Sequence, residues 1–299
     1  MHIKSSPSRK AFVATNIIYL LIVAAICLFP FLNLLAISFS SKQPVIAKEV
    51  TFWPIEFTTS AYSFIMGGSA FTRAMTISLK RVLIGVPVNL LLIILTAYPL
   101  SRDKSEFKWR NVYSWFFVVT ILFNGGLIPT YMIVRYTGLI DNLWALILPG
   151  ALPVFSMLVV MNYIRGLPKE LEEAAFIDGA GHMQTLLHVI LPVCTPTLAT
   201  VVLFSFVGHW NSWFDGMIYM NTVENYPLQS YLQTVVINPE AFFRNATNIS
   251  QELGIYLNLV NARTTNAAQL FLAMVPILCI YPFLQKYFTT GLVMGSVKG

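Results

Sequence analysis

Six apolar runs, each about as long as a bilayer core is thick, most constrain what this chain can fold into. They cover roughly residues 12–39, 75–100, 111–135, 143–163, 194–220 and 266–287. A helix needs about 20 apolar residues to cross the hydrocarbon core. Charged side chains make up only 11% of the 299 residues, whereas soluble domains carry about 25%. The sequence therefore predicts an all-α, polytopic membrane protein with six transmembrane helices.

The distribution of Lys and Arg predicts how these helices are oriented. Positive residues are concentrated in segment 1–11 and in the short loop Ser101–Arg110. Because cytoplasmic loops of membrane proteins collect such residues, we predict that both termini are cytoplasmic, with external loops at 40–74 and 221–265. The same rule explains the net charge of +6 without a nucleic-acid partner. Lys80 and Arg81 disturb the pattern, and we expect them to snorkel to the outer edge of the second span.

The sequence shows neither the spacing of a metal site nor that of a catalytic centre. Cys27, Cys194 and Cys279 lie far apart in apolar surroundings and are expected to be small buried residues. The four histidines form no ligand pattern, and the chain has no G-x-x-x-x-G-K-[ST] phosphate-binding loop. We therefore expect no catalytic residue, no metal and no cofactor bound by this chain.

A polar stretch, Leu167–Pro192, interrupts the apolar sequence between the fourth and fifth runs. Pro168 suits a first helical position, and three glutamates follow where the helix dipole favours them. The residues DGAG at 178–181 then break the helix. A second amphipathic helix follows, with apolar residues at 183, 186, 187 and 190, and Pro192 ends it. These features predict two short helices at an angle to each other, outside the membrane.

A DNA-binding helix-turn-helix is the alternative interpretation of this stretch. Its second helix carries no potential cation except His182 and His188, and both neighbouring runs are of membrane length. The residues EAAFIDGA, with VILP following ten residues after Gly179, resemble the EAA signature of importer-type ABC permeases. Val189 stands where isoleucine is usual in that signature.

This resemblance implies that the two helices are coupling helices, which dock onto an ATPase subunit. Glu173 would pair with a basic residue in a cleft of the ATPase surface, and Ala174 and Ala175 would allow close approach. The ATPase-coupling residues that the resemblance implies are Glu173, Ala174, Ala175, Asp178, Gly179, Ala180, Leu191 and Pro192.

The fifth run ends in a mixture of polar and aromatic residues, VGHWNSWFDGMIYM at 207–220. Ionisable groups at membrane depth usually serve a function. Aromatic faces stack on sugar rings, while amides and carboxylates bind hydroxyl groups, so one interpretation is a sugar path. The other is an aromatic belt at the membrane interface. The candidate substrate path comprises His209, Trp210, Asn211, Trp213, Phe214 and Asp215.

The resemblance extends over nearly the whole chain. Six spans, an EAA loop between the fourth and fifth, and the ending GLVMGSVKG at 291–299 are similar to the MalG-type permease subunit of binding-protein-dependent ABC carbohydrate importers. GHWNSWF followed by YPLQ at 226–229 most resembles the LplC/YtcP subgroup, associated with oligosaccharides that include uronate-containing ones. The resemblance implies a type I ABC importer permease fold over 12–287, in a bacterial inner (cytoplasmic) membrane.

Membership of that family also implies partners. These are a second homologous permease subunit, two ATPase subunits that bind ATP and Mg, an extracytoplasmic solute-binding protein, the sugar and the lipid bilayer. The cytoplasmic tail at 288–299 would insert between the ATPase subunits. The tail residues implied to contact them are Gly295, Val297, Lys298 and Gly299.

Two other functional classes can be weighed against this interpretation. A secondary transporter of a small polar solute requires intramembrane carboxylates or inverted repeats. Asp215 is the only clear acid within a run, and no repeat is visible. A membrane-embedded enzyme requires a metal cluster or a nucleophile with its base, and the sequence shows neither pattern.

Overall fold

The computed structural model describes residues 7–237 and 259–295. These ranges fold into helices joined by turns, which confirms the all-α prediction for the part of the chain described. The α-helices, in chain order, are α1 (Pro7–Ser38), α2 (Lys42–Ile46), α3 (Ser60–Gly67), α4 (Ser69–Ser101), α5 (Arg110–Leu122), α6 (Leu127–Tyr136), α7 (Val154–Arg165), α8 (Glu170–Ile177), α9 (His182–Thr185), α10 (Leu191–Val193), α11 (Thr195–Asn211), α12 (Phe214–Tyr219), α13 (Leu228–Ile237) and α14 (Ala262–Gly295).

Three single helices are long and apolar enough to cross a membrane: α1, α4 and the segment Ala262–Pro282 of α14. Three more candidates within the described ranges are bent pairs. They are α5 with α6, bent by 116°, residues Leu143–Gly150 with α7, bent by 47°, and His182–Val193 with α11, bent by 82°. Counting each pair once gives up to six spans, as the apolar runs predict.

The third and fifth runs are each broken rather than continuous helices. The third run turns at Asn124-Gly125-Gly126, where Gly126 has a φ of +86° that residues with a Cβ rarely adopt. Asn124 accepts a hydrogen bond from the Gly126 amide at 2.9 Å and so stabilises the turn. The fifth run breaks after Asn211 and resumes as α12 at Phe214. Both breaks leave backbone groups that need partners other than their own helix.

The long segments at 40–74 and 221–265 contain helices of their own. The first holds α2 and α3, and α4 begins at Ser69 rather than at 75. The second holds α13 and the start of α14. The last helix continues to Gly295, whereas the apolar run ends at 287.

The helices group into two compact units, and the described residues of the first are 7–72, 234–237 and 259–275. Its core forms where the end of α1 meets the segment around α2, with Ala36, Ile37, Val45, Val50 and Ala267 buried together. Asn33 donates a hydrogen bond to the carbonyl of Thr51 at 2.7 Å and closes this corner. Residues 7–32 of α1 are exposed in this chain, so their apolar surface is available to lipid.

The described residues of the second unit are 73–233 and 276–295. Its core is formed by α4, α7, the segment His182–Val193 and α11, and includes Ile93, Ala97, Met157, Ile190 and Cys194. The expectation for the cysteines is correct only for Cys194, because Cys27 and Cys279 are exposed on their helices. Both motifs that the sequence singled out lie in this unit.

Candidate functional site

The first helix of the polar stretch has acidic residues in its first turn and a left-handed glycine after its last turn. It is α8, with Glu170, Glu172 and Glu173 in its first turn. Pro168 precedes it by two residues and does not occupy the first helical position. At the other end the amides of Gly179 and Ala180 bond to the carbonyls of Phe176 and Ala175, at 3.0 and 2.9 Å. With Gly179 at a φ of +82°, these two bonds form a Schellman motif.

The second helix is less regular than the apolar spacing predicts. It runs from His182 to Val193, with a π-helical turn at Leu186–Ile190. Pro192 does not end this helix. Proline lacks the amide that would bond to an earlier carbonyl, and the π turn lies directly before the segment that contains Pro192. The helical path continues through Leu191–Val193 and bends by 82° into α11.

The four apolar residues of this second helix differ in burial. Leu186 and Ile190 are buried in the core of the second unit, whereas Met183 and Leu187 are 57% and 51% exposed. Two of the four apolar residues that define the amphipathic pattern are therefore buried, and the other two are exposed.

The predicted coupling residues separate into an exposed set and an inward set. Ala175 is buried, Leu191 packs against the core of the second unit, and Ala180 is half-buried. The exposed set is Glu173, Ala174, Asp178, Gly179 and Pro192. Ile177 lies beside this set and is 85% exposed. The exposed surface thus combines the carboxylates of Glu173 and Asp178 with a large apolar side chain, Ile177, at the end of α8.

The loop Ser101–Arg110 holds α8 through two ion pairs. Buried Arg102 pairs with Glu172, and exposed Lys169 pairs with exposed Asp103. The hydrogen bond from Lys169 lowers the pKa of the Asp103 carboxyl and raises the pKa of the Lys169 ammonium group. Glu173 is a member of neither ion pair, although its charge also helps to raise the pKa of Lys169.

A second cluster of polar side chains lies between α4 and the break after α11. Arg81 is 3% exposed and binds both carboxylate oxygens of Asp215, at 3.2 Å from Nη1 to Oδ1 and through a short contact from Nη2 to Oδ2. The Asp215 carboxylate also accepts bonds from the Ser212 hydroxyl at 2.8 Å and the Gly216 amide at 2.9 Å. The expectation that Arg81 snorkels to the membrane edge is wrong, because a carboxylate from the fifth run reaches it inside the unit.

His209 extends this cluster along α4. Arg81 Nε lies 3.4 Å from His209 Nδ1, and since arginine can only donate, Nδ1 accepts. The imidazole proton then sits on Nε2, which donates to Asn89 Oδ1 at 3.3 Å. Asn89 Nδ2 in turn lies 3.5 Å from the Ser205 hydroxyl. The chain of hydrogen bonds joins α4 to α11 and satisfies each buried side chain in it.

These residues line a cavity of about 470 Å³ within the second unit. His209 and Asp215 are the two predicted path residues on its wall. Trp210 is 1% exposed and stacks on Phe206 at 6.0 Å, so it serves as a core residue. Asn211, Trp213 and Phe214 are exposed away from the cavity wall. Of the tail residues, Gly295 ends α14, and Val297, Lys298 and Gly299 lie outside the described residues.

Arg81 and Asn89 are cavity residues that the sequence analysis missed. A signal for them was available, because Ser78, Arg81, Gly85 and Asn89 follow one another at three- and four-residue spacing in an otherwise apolar run. That spacing puts small and polar residues on one face of a helix. A polar face on a membrane helix indicates contact with protein or with a cavity rather than with lipid.

Comparison with known proteins agrees with this arrangement of motifs. Residues 63–214 match the model of the family described as "Binding-protein-dependent transport system inner membrane component". The matched range contains the pair α8–α9 and all but one residue of the Arg81–Asp215 cluster. The chain belongs to this family.

Full-length relatives of this permease carry related names. It is 36% identical over 299 residues to protein LplC of Bacillus subtilis (strain 168), covering 99% of this chain and 97% of LplC. It is 33% identical over 281 residues to the polygalacturonan/rhamnogalacturonan transport system permease protein YtcP of the same organism, covering 94% and 96%. The predicted resemblance to the LplC/YtcP subgroup of permeases is confirmed.

A solved structure resembles this permease as well. It is a chain of a bacterial ABC transporter involved in the import of the acidic polysaccharide alginate, with a TM-score of 0.85 and 29% identity, covering 96% of this chain and 100% of the other. The type I ABC importer permease fold is therefore confirmed. The relatives are transport permease subunits, so this multi-pass membrane protein is a transport subunit of an ABC importer and not an enzyme.

The contact between Gly85 and His209 generates a prediction about packing. A Cβ at Gly85 would lie 2.5 Å from His209 Nε2, and His209 is held by Arg81 and Asn89. Gly85→Ala should therefore destabilise the permease by about 1–3 kcal/mol, the usual cost of overpacking. The measurement is the thermal unfolding midpoint of the purified permease in detergent.

Gly208→Ala is the matched control, because a Cβ at Gly208 of α11 meets no atom within 4 Å. It should leave the midpoint unchanged or raise it, since alanine favours a helix. Equal midpoints for Gly85→Ala and Gly208→Ala would contradict the close contact.

Proposed function

We propose that this permease carries an oligosaccharide, including uronate-containing chains, from an extracytoplasmic binding protein into the cytoplasm. The observation that carries the proposal is full-length similarity to YtcP, whose name specifies polygalacturonan and rhamnogalacturonan. The alginate importer, which resembles this chain over nearly all of its length, also handles an acidic polysaccharide. The cavity wall offers hydroxyl, amide and imidazole groups, which suit a ligand rich in hydroxyl groups.

The exposed surface of α8 supports a docking role for the helix pair, defined as α8 together with His182–Val193. A carboxylate free of its neighbours' ion pairs and an adjacent exposed isoleucine suit a cleft with a basic residue and an apolar wall. We infer that this cleft belongs to one of two ATPase subunits, on which ATP and Mg bind. A second homologous permease subunit completes the membrane part of the complex.

This role fixes the proposed orientation of the chain. ATPase subunits of an importer work in the cytoplasm, so the helix pair and the loop Ser101–Arg110 lie on that side. The basic character of this loop and of segment 1–11 supports the same orientation. The segments around 40–74 and 221–265 then face the binding protein.

We place the sugar path beside the Arg81–Asp215 cluster. His209 and Asp215 remain the path residues that the cavity supports. Trp213 is 41% exposed and contacts Phe214 edge to face at 5.6 Å. Trp213 and Phe214 therefore fit the interfacial aromatic belt better than the cavity wall.

Docking can be tested with two substitutions in the helix pair. Glu173→Lys should abolish uptake because it places a cation against the basic residue of the cleft. Gly179→Val should also abolish uptake, because a β-branched residue at φ of +82° costs about 1–3 kcal/mol. The measurements are co-purification of the ATPase and hydrolysis stimulated by the binding protein.

A charge reversal in the ATPase cleft should partly rescue Glu173→Lys and leave Gly179→Val inactive, since only the first is an electrostatic fault. The matched control is Gly181→Val, because Gly181 has an extended backbone and open space for a Cβ. Normal docking, hydrolysis and uptake in both Glu173→Lys and Gly179→Val would show that the stretch is only a linker.

The sugar class can be tested in proteoliposomes that contain the whole complex and its binding protein. Uptake is measured for oligogalacturonates, oligomannuronates, neutral malto-oligosaccharides of matched length, and the corresponding monosaccharides. We expect the oligosaccharides to be imported in preference to the monosaccharides, with the acidic ones included. Import restricted to monosaccharides or to a solute that is not a sugar would contradict the proposal.

A further inference from the structure

The end of α4 touches both members of the helix pair through two adjacent side chains. Arg102, the first residue after α4, pairs with Glu172 of α8. Tyr98, one helical turn earlier, donates a hydrogen bond from its hydroxyl to the carbonyl of His182 at 3.1 Å. Since His182 begins the second helix, each of these side chains holds one member of the pair.

The two side chains also hold each other. The guanidinium carbon of Arg102 lies 4.2 Å from the centre of the Tyr98 ring, a cation–π arrangement. Arg102 is 8% exposed, so its charge depends on Glu172 more than a surface charge would depend on a partner. The exposed pair of Lys169 and Asp103 joins the same two segments, but such surface pairs contribute little.

Neighbouring helices fix the backbone of this same turn. Arg165, at the end of α7, donates to the carbonyl of Leu100 at 2.6 Å. Arg110, at the start of α5, donates to the carbonyl of Arg102 at 2.8 Å. The end of α4 is therefore a fixed support for the helix pair rather than a loose loop beside it.

The other half of α4 reaches the cavity. The helix is continuous from Ser69 to Ser101, and Arg81 lies 21 positions before Arg102. That separation is about 32 Å along a helix axis. Arg81 binds Asp215 on the cavity wall, so one helix carries an ion pair to the cavity and an ion pair to the helix pair.

We propose that Arg102 and Tyr98 are positioning residues that couple movement of the helix pair to α4, and through Arg81 to the cavity. The proposal rests on the docking role of the helix pair proposed above. Arg102 and Tyr98 connect the helix pair to α4. This connection is the third, because the chain already joins the helix pair covalently to α7 and to α11. Movement driven by the ATPase subunits then reaches three helices of the second unit together.

The test uses the complete complex in proteoliposomes and measures sugar imported per ATP hydrolysed. Arg102→Gln and Glu172→Gln should each lower this ratio about tenfold, a size typical of mutations within a coupled network. The double variant should be no worse than the worse single one, because the two residues act as a pair. Arg102→Lys, which keeps the charge, should retain more of the ratio than Arg102→Gln.

Two further variants keep the test decisive. Lys169→Gln is the matched control, since it breaks the exposed pair between the same segments, and it should change the ratio by less than about twofold. Tyr98→Phe keeps the ring and removes only the hydroxyl, so it should lower the ratio even if Arg102→Gln fails to assemble.

The results that would contradict the positioning role differ from those that would contradict the docking role. The positioning role is wrong if Arg102→Gln and Tyr98→Phe complexes import the normal amount of sugar per ATP. It is also wrong if these variants lower complex yield and uptake in parallel at an unchanged ratio, which a merely structural role would produce. If Glu173→Lys blocks docking in the same preparations, the docking role survives; if Glu173→Lys is also fully active, the docking role itself fails.

Discussion

The ion pair between Arg81 and Asp215 lies among apolar helices and joins the parts of the second unit of this permease. An isolated charge in such surroundings is costly, and removing one partner of a buried pair typically costs about 3–5 kcal/mol. Here Asp215 accepts bonds from Arg81, Ser212 and Gly216, so its charge is fully compensated. The pair joins α4 to the break between α11 and α12, and that break opens beside the cavity. The interaction that stabilises the unit therefore also shapes the site where we place the sugar path.

Much of the architecture could be predicted from the sequence, because it depends on local composition. Membrane-length apolar runs specify helices, and the prediction of six spans agrees with the helices and bent pairs in the described ranges. Gly179 supplies the left-handed residue that ends α8, and three glutamates occupy its first turn. The EAA stretch was recognisable for the same reason, since its chemistry lies within about 25 consecutive residues.

Other features could not be predicted, because they depend on residues distant in the sequence or on a choice between two local geometries. Arg81 and Asp215 are 134 positions apart. Until its partner is known, an arginine in an apolar run can be interpreted either as a residue that extends to the lipid interface or as one that pairs with a buried carboxylate. Pro192 is as compatible with the end of a helix as with the π turn at Leu186–Ile190 that directly precedes Leu191–Val193 in the structure. Trp210 matched a sugar-stacking residue by type, yet packing on Phe206 places it in the core.

The central claim is that the cavity near Arg81 and Asp215 lies on the transport path. The most direct test measures how accessible the cavity wall is to a water-soluble reagent during the ATPase cycle. Gly150 lines the cavity, and a Cβ there meets no atom within 4 Å, so Gly150→Cys adds a thiol without a clash. Exposed Cys27 and Cys279 are replaced by serine, while buried Cys194 is left in place. The measurement is the rate at which a water-soluble maleimide labels the complete complex with its binding protein. We predict that the rate changes between the nucleotide-free and ATP-bound complexes, and that transported sugar slows labelling. An equal rate in every state, with no protection by sugar, would contradict the account.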